Sequence, residues 1–139
     1  MSSTFHLAIP VRSILEAEKF YCDLLGCQKG NYEAGKWQDI NFWGNELTLH
    51  EADHGLENER HDVDMGRVCV PHFGIHLSWE NYLRIKSNVE KSIGFFDQPY
   101  TRFKDLETEQ ETFFVEDTNY NVIEIKSVKG SYYNNKKYN

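Results

Sequence analysis

Between residues 5 and 11 the chain alternates, with Phe5, Leu7, Ile9 and Val11 apolar and His6, Ala8 and Pro10 between them. A period of two belongs to a strand with one buried face. The pattern returns at 71–77, where Phe73, Ile75 and Leu77 alternate with His72, Gly74 and His76. A helical period follows each alternation. Over 14–25, Ile14, Ala17, Phe20, Tyr21, Leu24 and Leu25 share one face, with the capping pair Ser13 and Glu16 before them and Gly26 after. Over 79–93, Tyr82, Ile85, Val89 and Ile93 form a stripe between Ser78 and Gly94.

Three short strand-like stretches follow each glycine. In the first half they fall near 27–32, 37–43 and 46–51, and in the second near 95–103, 112–116 and 121–127. The chain thus reads as a βαβββ unit used twice, in one domain over 4–128: module one 4–52, linker 53–68 and module two 69–128. The segment between the halves is charged and poor in apolar residues, which predicts a linker or mobile loop. Residues 129–139 read as a polar, frayed tail.

Strand parity has a chemical consequence. If each apolar face packs under its module's helix, His6, His72 and His76 face the other way. On 46–51, Leu47 and Leu49 oppose Glu46, Thr48 and His50, and on the last strand Ile123 and Ile125 oppose Val122 and Glu124. Polar residues breaking apolar strands at related places would cost burial energy without compensation. Paired modules would gather His6, His50, His72 and Glu124, a suitable set for a first-row divalent metal.

Composition narrows the classes. With 22 acidic against 15 basic residues the net charge is −7, which disfavours nucleic acid and anionic membrane surfaces. No apolar stretch has spanning length and the first residues carry no basic leader, so the expectation is a soluble cytoplasmic protein. Cys22, Cys27 and Cys69 leave at least one thiol unpaired and show no zinc-ribbon spacing.

The stretch His6-Leu-Ala-Ile-Pro-Val, then Phe20-Tyr21, Leu25-Gly26, Pro71-His72-Phe-Gly-Ile and Glu116-Asp117-Thr-Asn-Tyr-Asn121-Val-Ile-Glu124, resembles the vicinal oxygen chelate superfamily over nearly the whole chain. That superfamily includes glyoxalases, bleomycin-binding proteins, thiol transferases that act on fosfomycin, and extradiol dioxygenases. The resemblance implies an α+β fold in which paired βαβββ modules form a curved mixed-sheet cup. It implies one divalent metal (Fe, Ni, Zn, Co or Mn) held by His6, His72 and Glu124, with a small-molecule substrate chelated through vicinal oxygens.

At the end of its strand, His50 matches two roles in such proteins: a fourth ligand in lyases and isomerases, for which Glu46 is a substitute, or a histidine beside bound oxygen in ring-cleaving dioxygenases. Those dioxygenases carry a tyrosine ten residues before the glutamate, where it contacts the substrate's oxygen; this chain has Phe114 there, a candidate substrate-binding residue without the hydroxyl. A glyoxalase-like lyase or isomerase is therefore expected ahead of an Fe(II) extradiol dioxygenase or a non-catalytic binding protein. His76 is a candidate acid or base, and Arg102 a candidate clamp for a substrate carboxylate. The family's Asp-Pro-x-Gly turn is here Asp117-Thr118-Asn119-Tyr120, with Asn119 and Asn121 expected to supply left-handed turn conformations. Open sheet edges predict a homodimer.

Overall fold

The computed structural model describes residues 3–53, 56–57, 59–66 and 68–128. The expected tail, 129–139, and His54 of the linker lie outside the described residues. The described residues divide into two compact units, one within 3–70 together with 117–121 and the other comprising 71–116 with 122–128.

The first unit contains strand β1 (His6–Val11), helix α1 (Ile14–Glu18), a π-helical turn (Lys19–Leu24), then β2 (Gln28–Glu33), β3 (Trp37–Phe42) and β4 (Asn45–Glu51). The second contains β7 (Phe73–His76), α2 (Trp79–Lys91), β8 (Asp97–Arg102), β9 (Gln110–Glu116) and β10 (Val122–Val128). The sheet orders are β1-β4-β3-β2 and β7-β10-β9-β8. In each the first strand lies parallel to the last, and the other neighbours are antiparallel. Each unit is therefore a βαβββ module of mixed sheet, the repeat that the alternating segments announce.

The helices begin where their caps predict. The Ser13 hydroxyl accepts from the Glu16 amide and that of Ser78 from the Asn81 amide, both at 3.3 Å. Ala17, Tyr21, Leu25, Val11, Leu47 and Leu49 are buried in the first unit, and Tyr82, Ile85, Val89, Phe113, Ile123 and Ile125 in the second, where the Tyr82 and Phe113 rings meet. The first helix departs from the expected regular α-helix over 14–25. From Lys19 it widens, and the Leu25 amide bonds to the Phe20 carbonyl, five residues back. Over so few turns the 3.6-residue and wider periods bury nearly the same positions, so the pattern cannot separate them.

Two other expectations are corrected. The linker contains a hairpin, β5 (His61–Val63) with β6 (Val68–Val70), whose turn places Asp64, Met65 and Gly66 at positive φ. Its strands are short and β5 is exposed, so no apolar alternation marks them. In the second correction, the left-handed residue of the Asp117 turn is Tyr120, with φ 70°, in the place of the family's glycine. Asn119 and Asn121 are instead spent on hydrogen bonds: Asn119 Oδ1 accepts from the Arg12 amide at 2.6 Å, and Asn121 Nδ2 donates to the Pro10 carbonyl at 3.2 Å.

This turn fixes the first unit through one buried carboxylate. Asp117 accepts from the Tyr21 hydroxyl at 2.8 Å, from the Asn119 and Asn121 amides at 2.8 and 2.9 Å, and from Asn121 Nδ2 at 2.9 Å. Burial raises its pKa, while these donors pull it down. Burial and the neighbouring Asp117 charge also push the Tyr21 phenol well above its ordinary range, so that it stays a proton donor. Tyr21→Phe removes one donor without creating a large cavity. It is expected to lower the unfolding free energy by about 1–3 kcal/mol at neutral pH, and a urea curve superimposing on wild type would show that the hydroxyl is dispensable.

Candidate functional site

The parallel pairing of β7 with β10 places Glu124 opposite Gly74, and the antiparallel pairing of β9 places it opposite Phe114. Two strands can approach so closely there because residue 74 has no side chain. A Cβ at that position would lie 1.9 Å from the Glu124 carbonyl oxygen. Glu124 itself is 7 % exposed, and three groups hold its carboxylate. His72 Nε2 lies 3.3 Å from Oε1, Lys126 Nζ lies 3.4 Å from the same oxygen, and the Thr112 hydroxyl donates to Oε2 at 2.7 Å. Burial alone would raise the Glu124 pKa. The His72 and Thr112 hydrogen bonds and the Lys126 charge outweigh it and bring the pKa to about 2.

The remaining face of this sheet is built around that carboxylate. Phe114, expected to touch substrate, is 1 % exposed and meets the His72 ring edge-on at 5.1 Å between centroids, so it forms a wall that fixes the imidazole. His76 lies opposite Lys126. Burial and the Lys126 charge lower its pKa to about 4 against the opposing pull of Glu124, leaving a neutral, weakly basic ring at neutral pH. Arg102, opposite Gln110, is half-buried and its guanidinium lies 5.2 Å from the Phe103 ring.

In the first unit, β1 and β4 put His6 opposite Glu46, and His6 Nδ1 lies 2.7 Å from Glu46 Oε1, with both side chains about half exposed. His50 shares this face but stands four residues further along β4, opposite Pro10 and Trp37. Four residues of strand span about 13 Å. His50 is therefore at the far end of the sheet from the His6–Glu46 pair.

The structure thus joins His72 with Glu124 and His6 with Glu46, each an imidazole nitrogen beside a carboxylate. Among the described residues no group of three or more His, Cys, Asp and Glu side chains is gathered in metal-binding fashion. The donor chemistry of both pairs nevertheless fits a divalent first-row ion, which takes neutral imidazole and ionised carboxylate together. Two contacts of Glu124 escaped the sequence pattern. Lys126 is two residues beyond Glu124 and so on its face, and Thr112 interrupts an apolar strand at matching parity. The parity argument, carried one step further along each strand, finds both.

Duplicated βαβββ modules of mixed sheet define a class of small proteins, and solved structures place the chain within it. A glyoxalase/bleomycin resistance protein/dioxygenase from Alicyclobacillus acidocaldarius is 30 % identical over 93 % of both chains, with a TM-score of 0.71. The chain belongs to that glyoxalase/bleomycin resistance/dioxygenase family, within the vicinal oxygen chelate superfamily. The fosfomycin resistance protein FosX from Listeria monocytogenes shares the fold at 16 % identity, covering 91 % of this chain and 93 % of that one, with a TM-score of 0.66. Lactoylglutathione lyase from Agrobacterium tumefaciens shares it at 15 % identity, 91 % and 94 % coverage and a TM-score of 0.62. Neither a family sequence model nor a curated protein sequence matches the chain. No helix among the described residues is long and apolar enough to cross a membrane.

The depressed pKa of Glu124 has a measurable sign. In the folded protein it loses its proton at about pH 2 and in the unfolded chain near 4.5. Its stabilisation is therefore complete above pH 4.5 and disappears as the pH falls toward 2. The shift corresponds to about 3 kcal/mol. Glu124→Gln is expected to be less stable than wild type at pH 6 by that order, with the gap narrowing as pH falls below 4.5. A gap independent of pH in denaturant titrations would contradict the charged, hydrogen-bonded state.

Proposed function

We propose that the protein is a divalent-metal-dependent enzyme of glyoxalase-like type, performing lyase or isomerase chemistry on a small substrate chelated through vicinal oxygens. His6, His72 and Glu124 are its metal ligands, and Glu46 rather than His50 is the fourth. The observation that carries this reading is the matched pair of contacts, His72 with Glu124 at 3.3 Å and His6 with Glu46 at 2.7 Å. Two imidazoles and two carboxylates suit proton-transfer chemistry on Ni, Zn, Co or Mn. The family membership supports the class of protein, and the named relatives include a lyase.

Bound there, the metal would supply Lewis acidity to the chelated oxygens. The chain's own groups do the rest. Thr112 and Lys126 orient Glu124 and keep it ionised. Phe114 walls the His72 ring, and His76, opposite Lys126 on the same sheet, is neutral and only weakly basic, which suits it to a polar contact with substrate better than to proton abstraction.

A second reading keeps a specific observation in its favour. If the Glu46 contact to Nδ1 serves to orient His6 from outside the ligand set, two histidines and Glu124 remain, a set that suits non-haem Fe(II) and dioxygen. The buried Phe114, which has no hydroxyl to offer a catechol oxygen, weighs against it.

Metal content of untagged protein separates these readings. Alanine at His6, His72, Glu124 or Glu46 is expected to reduce bound metal at least tenfold at limiting metal, whereas His50→Ala retains it. Full metal in all four variants would overturn the site, and full metal in Glu46→Ala alone would move Glu46 outside the ligand set. A hemithioacetal and epimerase panel run beside a catechol panel on the metal-loaded protein then ranks the chemistries, and oxygen uptake with a ring-opened product would reverse the order.

The working form is proposed to be a homodimer, because β2 and β8 are open edges of their sheets. Sedimentation at micromolar concentration is expected to give twice the chain mass of 16.4 kDa. A single species at chain mass would exclude it.

A further inference from the structure

The non-helical face of the second sheet can be read row by row from its register. The row of Glu124 holds Gly74 and Phe114, with Asp97 beyond Phe114 on β8 before that strand's register shifts. The next holds His76, Lys126, Thr112 and Tyr100, and the one beyond holds Val128, Gln110 and Arg102. Successive rows on one face are about 7 Å apart. These two rows therefore carry two cationic side chains, Lys126 and Arg102, and no carboxylate.

The charge on Lys126 is the informative one. Its side chain is only 24 % exposed, and its ion-pair partner is Glu124 Oε1, an oxygen already shared with His72. One carboxylate bears one negative charge, so once Glu124 also serves a divalent cation, this part of the face has an excess of positive charge. A partly desolvated ammonium in that position is stabilised by a further anion within a few ångströms. The neighbouring side chains of His76, Tyr100 and Gln110 are polar but not anionic, and therefore suit an oxyanion better than a second cation.

We propose that these rows form an oxyanion subsite, so that the substrate is a small compound carrying a carboxylate beside its vicinal oxygens, with Lys126 as the residue that meets the charge. This rests on the metal reading above and narrows the substrate to its anionic members. Lys126 then discriminates between substrates: a neutral compound with the same two oxygens leaves the ammonium without its anion and binds less tightly.

The test is calorimetric titration of metal-loaded protein with 3,4-dihydroxybenzoate, whose carboxylate is separate from its vicinal oxygens, and with 3,4-dihydroxybenzamide, its neutral counterpart. Metal content is measured in parallel for wild type, Lys126→Gln and Lys126→Arg. Wild type is expected to prefer the carboxylate compound by about tenfold or more, the strength of a charge-assisted contact. Lys126→Gln should lose that preference and Lys126→Arg should retain most of it. Metal-loaded wild type that binds the two equally, or a preference surviving intact in Lys126→Gln, overturns the subsite while leaving the metal reading in place. Wild type that takes up no metal overturns both.

Discussion

A carboxylate inside a sheet must be given partners or its proton back, and the arrangement of the second module follows from that constraint at Glu124. The side chain is nearly inaccessible, yet it is held as an anion by an imidazole, a hydroxyl and an ammonium drawn from the loop before β7, from β9 and from β10 itself. Each donor is there because of register. Gly74 permits the close parallel approach of β7, Thr112 faces inward because Phe114 is the direct partner of Glu124, and Lys126 repeats its parity. The same register walls His72 with Phe114 and sets His76 beside Lys126, so the site's geometry and its protonation state have a common origin.

Much of this was legible in the chain. The duplicated alternation of 5–11 and 71–77, each leading to a capped amphipathic helix, specified two βαβββ modules, because a period of two cannot be satisfied by a helix nor a period near four by a strand. Parity alone placed His6, His72, His76 and Glu124 on the faces away from the helices. What stayed hidden depended on distance along a strand. His50 and Glu46 have the same parity, and only the pairing of β1 with β4 shows that Glu46 stands opposite His6 while His50 stands at the other end. The hairpin at 61–70 was illegible because a short, exposed two-stranded ribbon has no buried face to impose an apolar pattern. The left-handed Tyr120 was illegible for a different reason: Asn119 and Asn121 are the better local candidates, but their side chains are committed to Arg12 and Pro10.

The pairing of imidazole with carboxylate in both modules suggests how a duplicated scaffold acquires chemistry. Both pairs lie on the sheet face away from the helix, half exposed in the first module and largely buried in the second. Each module carries one nitrogen and one oxygen donor on such a surface, at positions set by its own strand pairing. The two modules are not copies in detail: Glu46 is the direct strand partner of His6, whereas Glu124 is paired with Gly74, two residues beyond His72.

The Asp117 turn is encoded in one module and packed with the other. Covalently it joins the last two strands of the second module, yet by its contacts, from the Tyr21 hydroxyl, the Arg12 amide and the Pro10 carbonyl, it belongs to the first. A chain cut between the modules would therefore leave the first without the carboxylate that meets its Tyr21 hydroxyl and without the amides that meet Arg12 and Pro10, so the first half cannot be excised or transplanted without a segment encoded in the second.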